Sequence, residues 1–224
     1  MKGPTQRTRI KICGITNLDD ALRASEAGAD FLGFLLYPKS PRFVIPAQVA
    51  AITQAVRGEL GTGAPRMVGV FVNESLERVQ GTLDEAHLDL AQLHGDEPPA
   101  AVQKLSPIAF KAVRPQNAGE ARAALEAYRT SFLSDEALPQ LLVDGYHPER
   151  FGGTGLQADL EVARSVAGDC RLLLAGGLGP ETVAGAIEAV RPWGVDVSSG
   201  LERAKGLKDH ARLRAFVQAV RGTS

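Results

Sequence analysis

Two side chains capable of proton transfer stand where an apolar run stops. Cys13 closes the alternating stretch that opens RIKICGIT (9–16), and Asp144 closes QLLVD (140–144). A thiolate can take a proton from carbon while a carboxylic acid gives one to a leaving oxygen, so such a pair suits an isomerisation. Two later stretches, AGGLGPET (175–182) and VDVSSGLE (195–202), join glycines to polar side chains just ahead of a helix start. Glycine lets backbone approach a ligand closely, and a helix start offers N–H groups and a positive dipole end, which together suit a phosphate. Arg42 lies in a proline-broken loop, and Gln92 and His94 end another apolar run, so these three are candidates to line the same pocket. Each feature also has a plainer reading. Cysteine is usually a small buried hydrophobe, aspartate a common turn former or cap, and a Gly/Ser stretch a simple turn.

The elements that must position these residues follow from periodicity. In 9–13, Ile10 and Ile12 fall on one face and Cys13 on the other, which predicts a strand. Gly14 permits a tight turn, and Thr16 or Asn17 caps a helix over 19–27 that closes at Gly28. DFLGFLL (30–36) is apolar throughout, as in a strand buried on both faces of a parallel sheet. Further strands are predicted over 66–72, 88–93, 108–113, 140–144, 170–175 and 194–198. Between them lie helices over 46–57, 76–83, 98–105, 120–128, 159–167 and 181–190, and a closing helix follows Asp209. Residues 145–157 read as a glycine-rich loop. Eight alternations of strand and helix without a change in composition predict one closed parallel (β/α)8 barrel over 1–224, with 1–8 a polar tail. An open doubly wound sheet is the alternative, but a lone Gly14 stands where three spaced glycines would mark a dinucleotide site. In a barrel the site forms at the C-terminal ends of the strands. Loops after strands seven and eight then lie between Asp144 on strand six and Cys13 on strand one.

Composition narrows the class. Lys plus Arg number 25 and Asp plus Glu 26, giving a net charge of -1 and a pI near 6.4. No basic stripe invites nucleic acid, and no apolar run is long enough to span a membrane, so neither is an expected partner. A cytoplasmic protein is expected, with Cys13 and Cys170, both in predicted strands, as free thiols. His87, His147 and His210 read as surface or loop residues and Trp193 as packing. No histidine pair sits at zinc spacing with a cysteine, so no metal is expected.

KICGIT, GFLLYPKSPR, VGVFVN, QLHGDE, KAVRP, LLVDGYHPERFGGTG, AGGLGPETV and DVSSGLE occur in this order. This set resembles the phosphoribosylanthranilate isomerases of tryptophan biosynthesis, from about residue 11 to the closing helix. The resemblance implies a (β/α)8 TIM barrel that converts N-(5-phosphoribosyl)anthranilate to 1-(2-carboxyphenylamino)-1-deoxyribulose 5-phosphate by an Amadori rearrangement. It implies no cofactor and no metal, and a phosphoribosyl small molecule as partner, in a monomer or homodimer. Carried over by residue, it makes Cys13 the general base and Asp144 the general acid. Arg42 would face the anthranilate carboxylate, and Gly176, Gly177, Ser198, Ser199 and Gly200, with Gly155 nearby, would hold the phosphate. The pattern departs after GGTG, where Leu156, Gln157 and Ala158 replace the lysine and aromatic residue of many members. That change bears on closure of the loop and on polar contacts from it.

Two other functions fit parts of the pattern. A neighbouring phosphosugar barrel, such as indole-glycerol-phosphate synthase or a ribose-type epimerase, is one, and the synthase needs a lysine at the mouth. Lys11 and Lys111 are the candidates. The other is a phosphoribosyl-ligand binding protein without catalysis, against which the presence of both Cys13 and Asp144 argues.

Overall fold

The computed structural model describes residues 7–145 and 153–223, with side-chain surroundings for all but 153–159. Strands and helices alternate through β1 (Arg9–Cys13), α1 (Leu18–Glu26), β2 (Phe31–Leu35), α2 (Pro46–Leu60), β3 (Arg66–Phe71) and α3 (Leu76–Glu85). They continue through β4 (Leu90–Leu93), α4 (Pro99–Lys104), β5 (Ala109–Val113), α5 (Ala118–Tyr128), β6 (Leu141–Asp144) and α6 (Gly153–Ala167). The chain ends with β7 (Leu172–Ala175), α7 (Val183–Val190), β8 (Gly194–Val197), β9 (Glu202–Ala204), β10 (Leu207–Lys208) and α8 (His210–Arg221). Strands β1 to β8 pair in order, all parallel, and β8 returns to β1 to close the barrel. Among the described residues no helix is long and apolar enough to cross a membrane.

Alternation along each strand divides two cores. Ile10, Ile12, Leu32, Phe34, Leu172 and Leu174 point outward and pack with Val183, Leu213 and Phe216 of the helices. Phe31, Val68, Leu90, Phe110, Leu142 and Leu173 fill the interior. Each such side chain, fully buried, contributes about 1.5–3 kcal/mol. Trp193 stands near the lower end of the barrel with its ring 6.0 Å from that of Phe31, which is packing, as its position before β8 suggested. The inward positions near the strand ends change character: Cys13, Gln92, Asp144 and Asp196 replace aliphatic residues there.

Beyond shifts of a few residues at element ends, four departures from the sequence reading stand out. Cys170 precedes β7 instead of lying in it, because Gln140 Oε1 takes the Arg171 N–H and strand pairing starts one residue later. Helix α6 begins at Gly153 within the predicted loop, since Leu156, Gln157 and Ala158 all favour helix. Residues 199–208 fold into a turn and the small β9–β10 hairpin, with Gly206 at φ +78°. The end of the polar tail is held down: Thr8 is buried, its carbonyl accepts from Arg221, and Arg7 pairs with Asp30.

Candidate active site

Cys13 reaches the interior because the period of two in β1 sends Lys11 and Cys13 inward while Ile10 and Ile12 pack outward. The chain then turns at Gly14, with φ +76°. A β-carbon on Gly14 would lie 2.7 Å from Arg42 Cδ and 2.8 Å from Ser198 Oγ, so only glycine lets the loops after β2 and β8 meet over the end of β1. The Gly14 and Ile15 N–H groups both donate to the Gly33 carbonyl, at 2.9 and 3.0 Å, which fixes the turn. Burial pushes the Cys13 thiol above its ordinary value; the Lys11 ammonium opposes that, Asp196 adds to it and Lys208 opposes it again.

Asp144 ends β6 opposite Ala175 of β7. Its Oδ2 lies 3.5 Å from His94 Nε2 and 3.8 Å from Arg114 Nε. Gln92 donates to His94 Nδ1 at 3.0 Å, so the neutral ring carries its proton on Nε2, the nitrogen facing Asp144. Glu97 and Lys111 brace this wall: Lys111 donates to the Gly95 carbonyl at 2.6 Å and to Glu97 at 3.0 Å.

Arg42 is clamped by Glu202 in a two-pronged ion pair, 2.6 Å from Nε and 2.7 Å from Nη2. Such forks fix the guanidinium plane as well as its position. Lys208, buried in β10, donates to the carbonyls of Cys13 at 2.6 Å and Ser198 at 3.1 Å, and to Glu202 at 3.3 Å. The unpredicted hairpin thus ties the ends of β1 and β8 to the Arg42 loop.

On the remaining side, Gly176 and Gly177 take φ +101° and +63°, and Ser199–Leu201 makes one tight turn. Gly200 comes so near the β7 loop that a β-carbon there would be 1.9 Å from the Leu178 carbonyl oxygen. The two loops are therefore fitted to each other. Gly200→Ala should drive them apart, costing about 1–3 kcal/mol of stability. Inorganic phosphate should then bind at least about tenfold more weakly, since that loss corresponds to about 1.4 kcal/mol. Calorimetric titration and thermal unfolding read both, and unaltered phosphate binding would overturn the expectation that these loops hold a phosphate.

Cys13, Arg42, Gln92, His94, Asp144, Gly176, Gly177, Ser198, Ser199 and Gly200 all line one cavity of about 720 Å³. Three buried polar atoms around it, Ser198 Oγ, Gln92 Oε1 and His94 Nε2, have no hydrogen-bond partner among the described residues. Buried polar groups are seldom left so, and a polar ligand would satisfy them. Gly155, also expected here, falls in the first turn of α6, whose side-chain surroundings lie outside what is described; residues 146–152, His147 among them, lie outside it altogether. The sequence reading missed Arg114, Asp196, Tyr37 and Asn73, which also line the cavity. Arg114 and Asp196 had a signal: a charge just after one apolar strand and a charge interrupting another. Neither Lys11 nor Lys111 is among the lining residues, so among the described residues neither candidate offers an amine where the synthase reading needs one. A second cavity, of about 480 Å³, lies at the opposite end of the barrel beside Cys170 and Trp193 and holds none of these groups. Among the described residues one set, Asp19, Asp20 and His210, has ligand atoms near enough to share a cation. Asp20 is already engaged by Asn17, the Lys208 N–H and His210, away from the cavity, so His210 is less free than a loop histidine.

The sequence profile of the N-(5'phosphoribosyl)anthranilate (PRA) isomerase family matches residues 10–219. A relative from Roseiflexus castenholzii, N-(5'-phosphoribosyl)anthranilate isomerase, is 45% identical over 218 residues, covering 96% of this chain and 99% of its own. The crystal structure of phosphoribosyl anthranilate isomerase from Thermotoga maritima superposes with a TM-score of 0.82 at 40% identity, covering 96% of this chain and 99% of that one. Another isomerase structure holds reduced 1-(o-carboxyphenylamino)-1-deoxyribulose 5-phosphate and superposes at 0.76, with 37% identity over 96% of this chain and 99% of its own. Matched by that profile over residues 10–219 and by relatives of this identity along nearly its whole length, the chain belongs to the N-(5'-phosphoribosyl)anthranilate isomerase family.

Proposed function

We propose that the protein converts N-(5-phosphoribosyl)anthranilate to 1-(2-carboxyphenylamino)-1-deoxyribulose 5-phosphate, with Asp144 as general acid and Cys13 as general base. Asp144 gives its proton to the ribose ring oxygen as the C1–O bond breaks and that bond pair moves to oxygen. The nitrogen lone pair forms C1=N, and the cationic imine acidifies the C2 proton. The Cys13 thiolate takes that proton, and the C2–H pair becomes C1=C2 while neutralising the nitrogen. The resulting enolamine gains a proton at C1 and loses one from the 2-hydroxyl to give the ketose. No net redox change occurs. The phosphate rests on Gly176, Gly177, Ser198, Ser199 and Gly200, with Gly155 nearby, and Arg42 meets the anthranilate carboxylate with the part of its guanidinium that Glu202 does not occupy.

One observation carries this reading: the thiol and the carboxyl open onto the same cavity as the two Gly/Ser loops, where Ser198 Oγ is buried and without a partner. Gln92 and His94 line the wall beside Asp144, with His94 Nε2 3.5 Å from its Oδ2. The test is growth without tryptophan of a strain lacking this isomerase and carrying the present gene, followed by chromatography of the purified protein's product. No growth together with unconverted substrate would refute the proposal.

A further inference from the structure

A charged pair lies inside the barrel just below Cys13. Lys11 is fully buried, its Nζ 2.8 Å from Asp196 Oδ1, and the β1–β8 register places the two residues directly opposite each other. A β-carbon on Gly33 would fall 2.8 Å from Cys13 Sγ and 3.0 Å from Lys11 Nζ, so sulfur and nitrogen converge on the same small space. Buried ion pairs are poor stabilisers, because desolvation offsets most of their attraction, and apolar residues of similar volume often serve the fold as well. The pair is therefore poorly explained by packing.

We propose that Lys11 is a positioning residue whose fixed charge, anchored by Asp196, stabilises the thiolate form of Cys13. The inference rests on Cys13 being the base of the proposed reaction. Every neighbouring element bears on it. From β8 Asp196 disfavours the thiolate, from β10 Lys208 favours it, from the loop after β2 Arg42 favours it, and β2 itself, FLGFL, carries no titratable group. Lys11 is the largest of the favourable charges and the one set against the sulfur from below. Burial disfavours its own charge, but Asp196 and Cys13 oppose this and hold it above the ordinary lysine value. A cation beside a thiol is the usual means of making it reactive.

The test is site-resolved alkylation. The protein is treated with iodoacetamide across a pH series, and peptide mapping separates Cys13 from Cys170, whose thiol burial pushes up to about 12. In Lys11→Met the alkylation midpoint of Cys13 should rise by about one to three pH units, the range for removing an adjacent opposite charge. The turnover–pH curve should move by the same amount, with KM at its plateau unchanged. Lys11→Met leaves Asp196 without its partner and can fail to fold. Lys11→Met/Asp196→Asn removes both charges, and there the midpoint should still rise, though by less. An unchanged midpoint in either folded variant overturns the role of Lys11, while wild-type turnover keeps the isomerase reading in force. A wild-type protein without turnover defeats that reading instead, and the alkylation midpoint still decides whether Lys11 acts on Cys13.

Discussion

Cys13→Ala should lower turnover by about 10³-fold, the middle of the range for losing a general base. KM should stay close to wild type. The sulfur faces the cavity, and removing it leaves untouched the Gly/Ser loops and the Arg42–Glu202 clamp proposed to hold the two ends of the substrate. Thermal unfolding should also change little, because the backbone of Cys13 stays pinned through its carbonyl by Lys208. The pH dependence gives a second check, and its sign is fixed by which form works. In the proposed mechanism the thiolate is the active species, and burial raises the thiol's pKa, so wild-type turnover should climb with pH through and beyond the ordinary thiol range. The residual rate of Cys13→Ala should lack that rising limb. A variant within tenfold of wild type, or a wild-type rate that falls as pH rises across this range, would show that some other group takes the C2 proton.

What could be read from residues alone follows from how local the signal was. Strand ends with a polar residue after an apolar run, as at Cys13 and Asp144, announced both the barrel and the cavity at its mouth, since period and burial act over a few neighbours. The Gly/Ser loops were legible for the same reason. The β9–β10 hairpin was not, because it is held by contacts far apart in the chain: Lys208 to the Cys13 carbonyl, and Glu202 to Arg42 across 160 positions. Lys11 and Asp196 looked like misplaced charges in two strands, and only closure of β8 onto β1 makes them a pair. Cys170 illustrates the opposite error. The apolar run that follows it suggested a strand from 170, but the Arg171 N–H donates to Gln140 Oε1 and β7 begins only at Leu172, which no local pattern reveals.

Asp144→Asn should lower turnover by an amount similar to Cys13→Ala, about 10³-fold, but by stalling a different step. Asparagine keeps the shape and the contacts available at the end of β6, yet has no acidic proton to give the ring oxygen. Ring opening then becomes limiting, and proton removal at C2 follows in a fast later step. Substrate deuterated at C2 separates the two variants. In Cys13→Ala the C2–H bond breaks in the slow step, so the isotope effect should stand well above unity. In Asp144→Asn it should fall towards unity. The neighbours make the expectation specific: His94 Nε2 and Arg114 Nε, at 3.5 and 3.8 Å, are placed to bind the carboxylate but not to replace it, since neither sits at the strand end opposite Ala175. If Asp144→Asn instead showed the full isotope effect of Cys13→Ala, ring opening would not depend on Asp144. The acid would then have to be sought among the other groups on that wall, with His94 first.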